Sequence, residues 1–267
     1  MLTSQQVEAF KRDGFFVVPN VFSPTEIEAL KAAAATVSSL DVPQRILEND
    51  GTTVRSVYDV QNLDPLFARL IRDPRLLLPA REVLEDDVYI FQTQLNPKAA
   101  FLGDVWEWHQ DLLYWQREDG MPSHRVVNVA IYLDDVTIFN GPMFFIPGSH
   151  ETVLDEETPR QQPGWEAMLT SDIQHKVSNE ALARLVDAKG LAAPLAERGS
   201  VVLFDSRLLH SSPPNLSPFV RTVLFVRYNA LSNELLPVES PRPEWLANRH
   251  PERIEPLTDD LLAVISR

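Results

Sequence analysis

The run WEWHQD sets His109 and Asp111 two residues apart. On a strand, residues i and i+2 point to the same face. An imidazole and a carboxylate held that way could take adjacent positions on one metal ion. His210, in LFDSRLLHSS behind a strongly apolar run, is the best candidate for a third ligand. Two histidines and one carboxylate on one face of an octahedron form the ligand set of non-haem Fe(II) oxygenation chemistry. That set leaves positions open for a bidentate co-substrate and O2. Eleven residues past His210, Arg221 opens another strand-like run. Its guanidinium is a permanently charged, bidentate partner for a carboxylate. The chain has no cysteine. Disulfides, zinc–thiolate sites, iron–sulfur clusters and thiol nucleophiles are therefore excluded, and any metal must rest on His, Asp or Glu.

Other polar and aromatic residues near these runs have structural readings. Trp106, Trp108, Tyr114 and Trp115 flank the His-x-Asp motif and read either as core or as substrate lining. His150, in PGSH, reads as a turn histidine that helps close the site rim, although it could compete as a ligand. His124, His175 and His250 lie in polar stretches and read as surface residues. Asp134, Asp135 and Asp205 read as strand-end caps.

The elements that must position these residues are legible from patterning. Thr3 or Ser4 caps a short helix that Gly14 stops, and FFVVP from Phe15 to Pro19 follows as a strand. Ser23-Pro24 starts a helix to about Val37, with proline in the first turn. Asp64-Pro65 and Asp73-Pro74 each start a short helix. Strands are expected over Thr53 to Val60, Val88 to Asn96, Val126 to Asp135, Gly199 to Asp205 and Arg221 to Asn229, with MFFIP as a further short one. A helix is expected near Asn179 to Lys189. The polar segment from Glu151 to Lys176 is too long for an ordinary connection and reads as a lid or a disordered insertion.

Helices first and strands afterwards point to a mainly β chain with flanking helices. The expected architecture is a β-sandwich or barrel core buttressed by N-terminal α-helices. One domain spans 1–267: helical support over about 1–86, core over about 87–230, and a proline-rich C-terminal segment wrapped on the surface over about 231–267.

With 24 Lys and Arg against 38 Asp and Glu, the net charge is −14. Such a polyanion is repelled by phosphate backbones and anionic lipid, so no nucleic-acid or membrane partner is expected. Local basic pockets for small anions remain allowed. No apolar run approaches the roughly 18 residues of a membrane span. The opening residues lack a signal layout, so the expected compartment is the cytoplasm. Oligomeric state is not legible.

Longer runs carry a resemblance. WHQDLLYWQREDGM, NGPMFFIPGSH and LFDSRLLHSSPPNLSPFVRTVLFVRYNA resemble the phytanoyl-CoA dioxygenase-like branch of the Fe(II)/2-oxoglutarate oxygenases. VEAFKRDGFFVVPNVFSPTEIEAL resembles that branch's N-terminus. Within the branch, LENDGTTVRSV, DVYIFQTQLNPKAAFLGDVWEWHQD and SPRPEWLANR are most similar to bacterial L-proline trans-4-hydroxylases, with ectoine hydroxylases next. The resemblance implies a double-stranded β-helix (jelly-roll, cupin-like) core. It makes His109, Asp111 and His210 the Fe(II) ligands. It makes Arg221, with Ser212, the clamp on the distal carboxylate of 2-oxoglutarate. Asn96 and Gln92 match positions lining the co-substrate and active site, and Trp115 matches a substrate-cavity aromatic. O2 is the second co-substrate, with ascorbate a helpful reductant in vitro.

The same resemblance implies oxidation of a small molecule. The expected substrate is a free cyclic amino acid, L-proline or a homologue such as L-pipecolate. Ectoine or another small natural-product scaffold is the alternative. Gln94 stands where ectoine hydroxylases carry a basic residue, and Arg117 in WQREDG resembles the proline enzymes. An amino-acid carboxylate needs a cation, and Arg117 and Arg55 are the candidates. A ligand-binding module without activity is a further reading, against which the intact triad and Arg221 argue.

Overall fold

The structure is a computed structural model and describes residues 1–152, 157–159, 169 and 175–264. Helix α1 (Ser4–Asp13) opens with a reciprocal cap between Thr3 and Gln6. Gly14, at φ +82°, closes it. After strand β1 (Phe15–Val18), helix α2 (Pro24–Ser39) repeats the device with Ser23, Glu26 and a first-turn proline. Strands β2 (Arg45–Leu47) and β3 (Val54–Tyr58) follow, then helices α3 (Val60–Leu63), α4 (Pro65–Leu70) and α5 (Pro74–Leu84). Asp64 and Asp73 cap α4 and α5 through their side chains.

The β-rich part begins with β4 (Val88–Lys98) and β5 (Trp106–His109), then helix α6 (Asp111–Asp119). Strands β6 (Val126–Tyr132), β7 (Phe144–Phe145), β8 (Glu157–Pro159) and β9 (His175–Val177) lead to helix α7 (Asn179–Lys189). Strands β10 (Val201–Asp205), β11 (His210–Ser212) and β12 (Arg221–Ala230) complete the core. The segment expected as a lid, 151–176, falls largely outside the described residues.

A seven-stranded antiparallel sheet runs β1-β10-β6-β12-β4-β3-β2, and a three-stranded sheet runs β5-β11-β7. The large sheet is buried on both faces, so its strands read as continuous apolar runs. Alternation sorts the side chains. Val127, Val129, Ile131, Val201, Leu203, Leu224 and Val226 pack under the N-terminal helices with Ile27, Leu30, Phe67 and Leu77. Ala130, Tyr132, Val202, Phe204, Val223 and Phe225 face the small sheet through Phe145. The Phe145 ring lies 5.2 Å from that of Phe204 and 4.8 Å from that of Phe15. These facing sheets are the expected jelly-roll, mainly β, with helices buttressing the outer face of the large sheet.

One residue of β4 breaks the ladder. Arg227 pairs with Gln92 and Tyr228 with Ile90, which leaves Phe91 without a partner. The bulge shifts the parity of the strand. Beyond it Gln92, Gln94 and Asn96 face the cavity between the sheets, where Phe225 and Arg227 of β12 also point. The C-terminal segment is pinned over the body: Ile254 N–H donates to Val88 O and Leu257 N–H to Arg72 O. No helix among the described residues is long and apolar enough to cross a membrane.

Candidate active site

His109 ends β5, and His210 opens β11 directly opposite it in the antiparallel register. Cross-strand partners share a face, so the imidazoles lie side by side, their ring centroids 4.1 Å apart and their planes inclined at 49°. Asp111 is not on that strand. It is the first residue of α6, one step after the chain turns at Gln110. The expected i, i+2 strand geometry is therefore corrected to a strand-to-helix junction. A helix N-terminus favours a carboxylate there. The turn is held by Leu112 N–H donating to Ser206 O and by the Gln110 amide donating to Arg207 O.

The ligating atoms converge. His109 Nε2 is 3.6 Å from Asp111 Oδ1, and His210 Nε2 is 3.9 Å from Asp111 Oδ2. Each Nδ1 donates to a backbone carbonyl, His109 to Glu107 O at 2.6 Å and His210 to Leu208 O at 2.9 Å. Those bonds fix the tautomer and leave each Nε2 with a free lone pair. Asp111 Oδ2 is buried with no hydrogen-bond partner. A divalent cation between these atoms would satisfy that oxygen, and two imidazoles with one carboxylate suit Fe(II). The residues present fit the metal. Among the described residues, no other group of His, Asp and Glu is gathered this closely. Burial, reinforced by His109, pushes the His210 imidazole down to about 4. Burial pushes the Asp111 carboxyl up, but His210, His109 and Arg227 outweigh it and hold it below its usual range.

Two ends of the cavity are cationic, in a chain of net charge −14. At one end Arg221 is 1% exposed, and its Nη2 donates to Ser212 Oγ at 3.2 Å. Its Nε has no partner. Lys98 converges on the same hydroxyl at 2.7 Å and on Pro213 O at 2.6 Å. At the other end Arg227 donates to Gln94 Oε1 at 3.0 Å, and Gln94 in turn donates to the Tyr58 hydroxyl at 3.0 Å. Arg242 of the C-terminal segment also lines the cavity, but Asp119 holds it in a bidentate pair at 2.8 and 2.6 Å.

The expected site residues divide. His109, Asp111, His210, Arg221, Ser212, Asn96, Gln92 and Trp115 all line this one cavity. Asn96 donates to Arg55 O and Gln92 to Leu246 O. Trp106 and Tyr114 line it too, whereas Trp108 packs under α7. The two arginines expected to hold a substrate carboxylate do not reach the cavity. Arg117 is exposed on the outer side of α6, because its helical position turns it away from Trp115. Arg55 is buried behind the wall, stacked on Trp106 at 3.9 Å and paired with Glu48 at 3.0 Å. His150 is not at the rim either. It is buried beneath Gly14, with Nε2 at 3.2 Å from Lys11 O. Asp134, Asp135 and Asp205 accept from Thr222, Arg198 and Arg207 backbone N–H groups, which fits their structural reading.

Sequence reasoning missed Arg227, Lys98, Tyr58, Arg242 and Leu246. Arg227 was findable: Arg221, Val223, Phe225 and Arg227 alternate along one strand face. Lys98 follows Asn96 on β4 by the same rule. Arg242 and Leu246 had no local signal.

A phytanoyl-CoA dioxygenase (PhyH) family model matches residues 10–223. An ectoine dioxygenase of Sphingopyxis alaskensis is 38% identical over 257 residues, covering 93% of this chain and 83% of the relative. An L-proline trans-4-hydroxylase of Streptomyces griseoviridis is 34% identical over 259 residues, covering 95% of each. The crystal structure of EctD from S. alaskensis with 2-oxoglutarate and 5-hydroxyectoine superposes with a TM-score of 0.86 at 35% identity, over 97% of this chain and 89% of that one. The ectoine enzymes thus stand ahead of the proline enzyme, the reverse of the order read from the sequence runs.

Proposed function

The chain belongs to the phytanoyl-CoA dioxygenase family of Fe(II)/2-oxoglutarate-dependent dioxygenases, and from that premise we propose that it hydroxylates a small cyclic amino acid, ectoine first among the candidates. The observation that carries the reading is the cavity between the sheets. It joins a His-Asp-His cluster to a buried arginine–serine pair at one end and to aromatic walls and a second arginine at the other. When bound, Fe(II) and 2-oxoglutarate supply oxygen activation coupled to decarboxylation of the co-substrate to succinate and insertion of one oxygen into a substrate C–H bond.

The protein's own residues bind, orient and exclude water. His109, Asp111 and His210 would hold the metal on one side and leave the cavity side open. Arg221 and Ser212 would hold the distal carboxylate of 2-oxoglutarate by charge-assisted hydrogen bonds. Asn96 and Gln92 are tied to backbone carbonyls and would line the co-substrate as fixed amides. Trp115, Tyr114, Phe225 and Leu246 give apolar walls for a small ring. No side-chain general base is required.

The similarity of the ectoine dioxygenases over nearly the whole chain supports ectoine. L-Proline is the second candidate, because the proline hydroxylase matches 95% of this chain over 95% of its own length. The test is a side-by-side assay of ectoine, L-proline and L-pipecolate with Fe(II), ascorbate and 2-oxoglutarate, following succinate and the oxygenated product. Substrate-dependent succinate release with ectoine is expected. Turnover of none of the three would overturn the reading.

A further inference from the structure

Three loops meet on the outside of the jelly-roll: 99–104 after β4, 137–141 before β7, and 213–220 between β11 and β12. They carry Phe101 and Leu102, Ile138 and Phe139, and Leu216 and Phe219, each between 61% and 78% exposed. Among the described residues, only Met1 is another large apolar residue as exposed as these. The loops are locked to one another. Phe101 N–H donates to Ser217 O at 3.1 Å, and Asn215 N–H to Gly103 O at 2.9 Å. The buried Asn215 amide donates to Lys98 O at 3.1 Å and to Phe219 O at 2.7 Å. The Ser212 hydroxyl ties in the remaining loop by donating to Gly141 O at 2.9 Å. Within that loop, Asn140 accepts from Thr137 N–H and donates to Asp135 O. The polar groups are thus satisfied inward, and the apolar side chains are held out in water.

At roughly 200 Å2 for a phenylalanine, the three rings expose about 400 Å2, and the three aliphatic side chains bring the patch to on the order of 650 Å2. That is above the range of about 300–600 Å2 for the largest apolar patch on a typical monomer. A standard interface buries about 800 Å2 on each partner, roughly 57% of it apolar, or about 450 Å2. The patch is therefore large enough to be the apolar centre of a stable dimer. Charge points to the same occupant. Across the three loops the only ionisable residue is Asp104, in a chain of net charge −14. Two copies repel each other over most of their surfaces, but here they can meet without opposing carboxylates. A basic partner would find almost no acidic side chains to grip, and a lipid surface would find no Lys or Arg in the loops. We propose that a second copy of this chain docks on this face, patch against patch about a two-fold axis. Because the loops are already fixed by their own hydrogen bonds, little ordering opposes the association. The inference concerns assembly and does not depend on the substrate.

The test is sedimentation velocity of the full chain with Fe(II) bound, over a concentration series. Wild-type protein should sediment at twice the mass of one chain and dissociate on dilution. Phe139→Glu and Phe219→Glu, on different loops, should each raise the dissociation constant by at least about 25-fold, the effect of losing a central aromatic anchor. Their iron stoichiometry and circular dichroism spectra should match wild type. Leu78→Glu adds the same charge at an exposed position of α5 and should associate as wild type does. A wild-type chain that stays monomeric throughout the series overturns the proposal. So does a dimer that both phenylalanine variants leave intact, or one that Leu78→Glu weakens equally. Monomers that instead bind phosphatidylcholine vesicles, with binding lost in Phe139→Glu, would give the face to a bilayer and refute docking of a second copy. Should either phenylalanine variant not fold, hydrogen exchange of wild type above and below its dissociation midpoint decides. Protection gained in 99–104, 137–141 and 213–220 is expected, and no gain in these loops would place the contact elsewhere.

Discussion

Asp111 is the residue on which the cluster's charge balance turns: a buried carboxylate with one oxygen unbonded, between two imidazoles whose Nδ1 atoms are committed to backbone carbonyls. His109→Ala, Asp111→Ala and His210→Ala should each abolish substrate-dependent succinate formation and lower iron stoichiometry, with the circular dichroism spectrum preserved. Normal turnover in any one would remove that residue from the cluster. At the co-substrate end, Arg221→Ala should raise the KM for 2-oxoglutarate by about 25-fold or more and leave the KM for the primary substrate within about threefold. Beside it, burial, with repulsion from Arg221, pushes Lys98 down to about 6. Lys98 is then mostly neutral at neutral pH, and a bound dicarboxylate would raise its pKa. Binding of 2-oxoglutarate at neutral pH should therefore take up a proton, and affinity should strengthen as pH falls toward that value. Calorimetry in two buffers of different ionisation enthalpy checks this. Equal proton uptake in wild type and Lys98→Met would refute the assignment to Lys98. The triad and Arg221 were legible because their spacing encodes chemistry. Arg117 and Arg55 misled because an arginine near a motif in sequence says nothing about which side of the wall it occupies.

At the scale of elements, short-range signals carry the N-terminal half. Ser23→Ala removes a reciprocal cap and should cost about 1 kcal/mol. Gly14→Ala should cost more. It forces a side chain into the left-handed region at φ +82°, a penalty of roughly 1–2 kcal/mol. Its Cβ would also lie 2.6 Å from His150 Nδ1 and 2.9 Å from Leu208 Cδ1. Urea unfolding of both variants checks the order, and a Gly14→Ala midpoint at or above that of Ser23→Ala would contradict it. Strands over 15–18, 88–98, 126–132, 201–205 and 221–230 were legible from apolar runs. The three-residue β2 and β11, and α6 itself, were not. Helix α6 begins on a metal-site residue, so its first turn reads as chemistry rather than as a helix start.

For the whole molecule, the C-terminal segment is structural and closes one wall of the cavity. Arg242 reaches back to Asp119 at the end of α6, with both side chains almost fully buried. Asp119→Ala would leave that guanidinium uncompensated and should destabilise the protein by about 3–5 kcal/mol, whereas replacing both partners by apolar residues of similar volume should recover most of the loss. Thermal unfolding of Asp119→Ala and of Asp119→Leu/Arg242→Met measures both. A double variant no more stable than the single one would show that the pair does more than neutralise itself. The net charge of −14 was legible and argued against polyanionic partners. It concealed a cavity walled by three arginines, because a sum over residues carries no position.

The sequence by itself determined the chemistry available. The residue types and order of His109, Asp111, His210 and Arg221 specify an imidazole–carboxylate metal site with a cation for a carboxylate, and the absence of cysteine leaves only hard and imidazole ligands. It also determined the buried central strands, since their near-continuous apolar runs are written in residue order. Only the tertiary structure decided which cations face inward. Lys98 and Arg221 meet on one hydroxyl across 123 positions of sequence because β4 and β12 are neighbours. The bulge at Phe91 sets which β4 side chains join them. Arg242 arrives from a segment with no periodicity at all. Long-range pairing and a single unpaired residue fix those positions, and neither leaves a local signature to read.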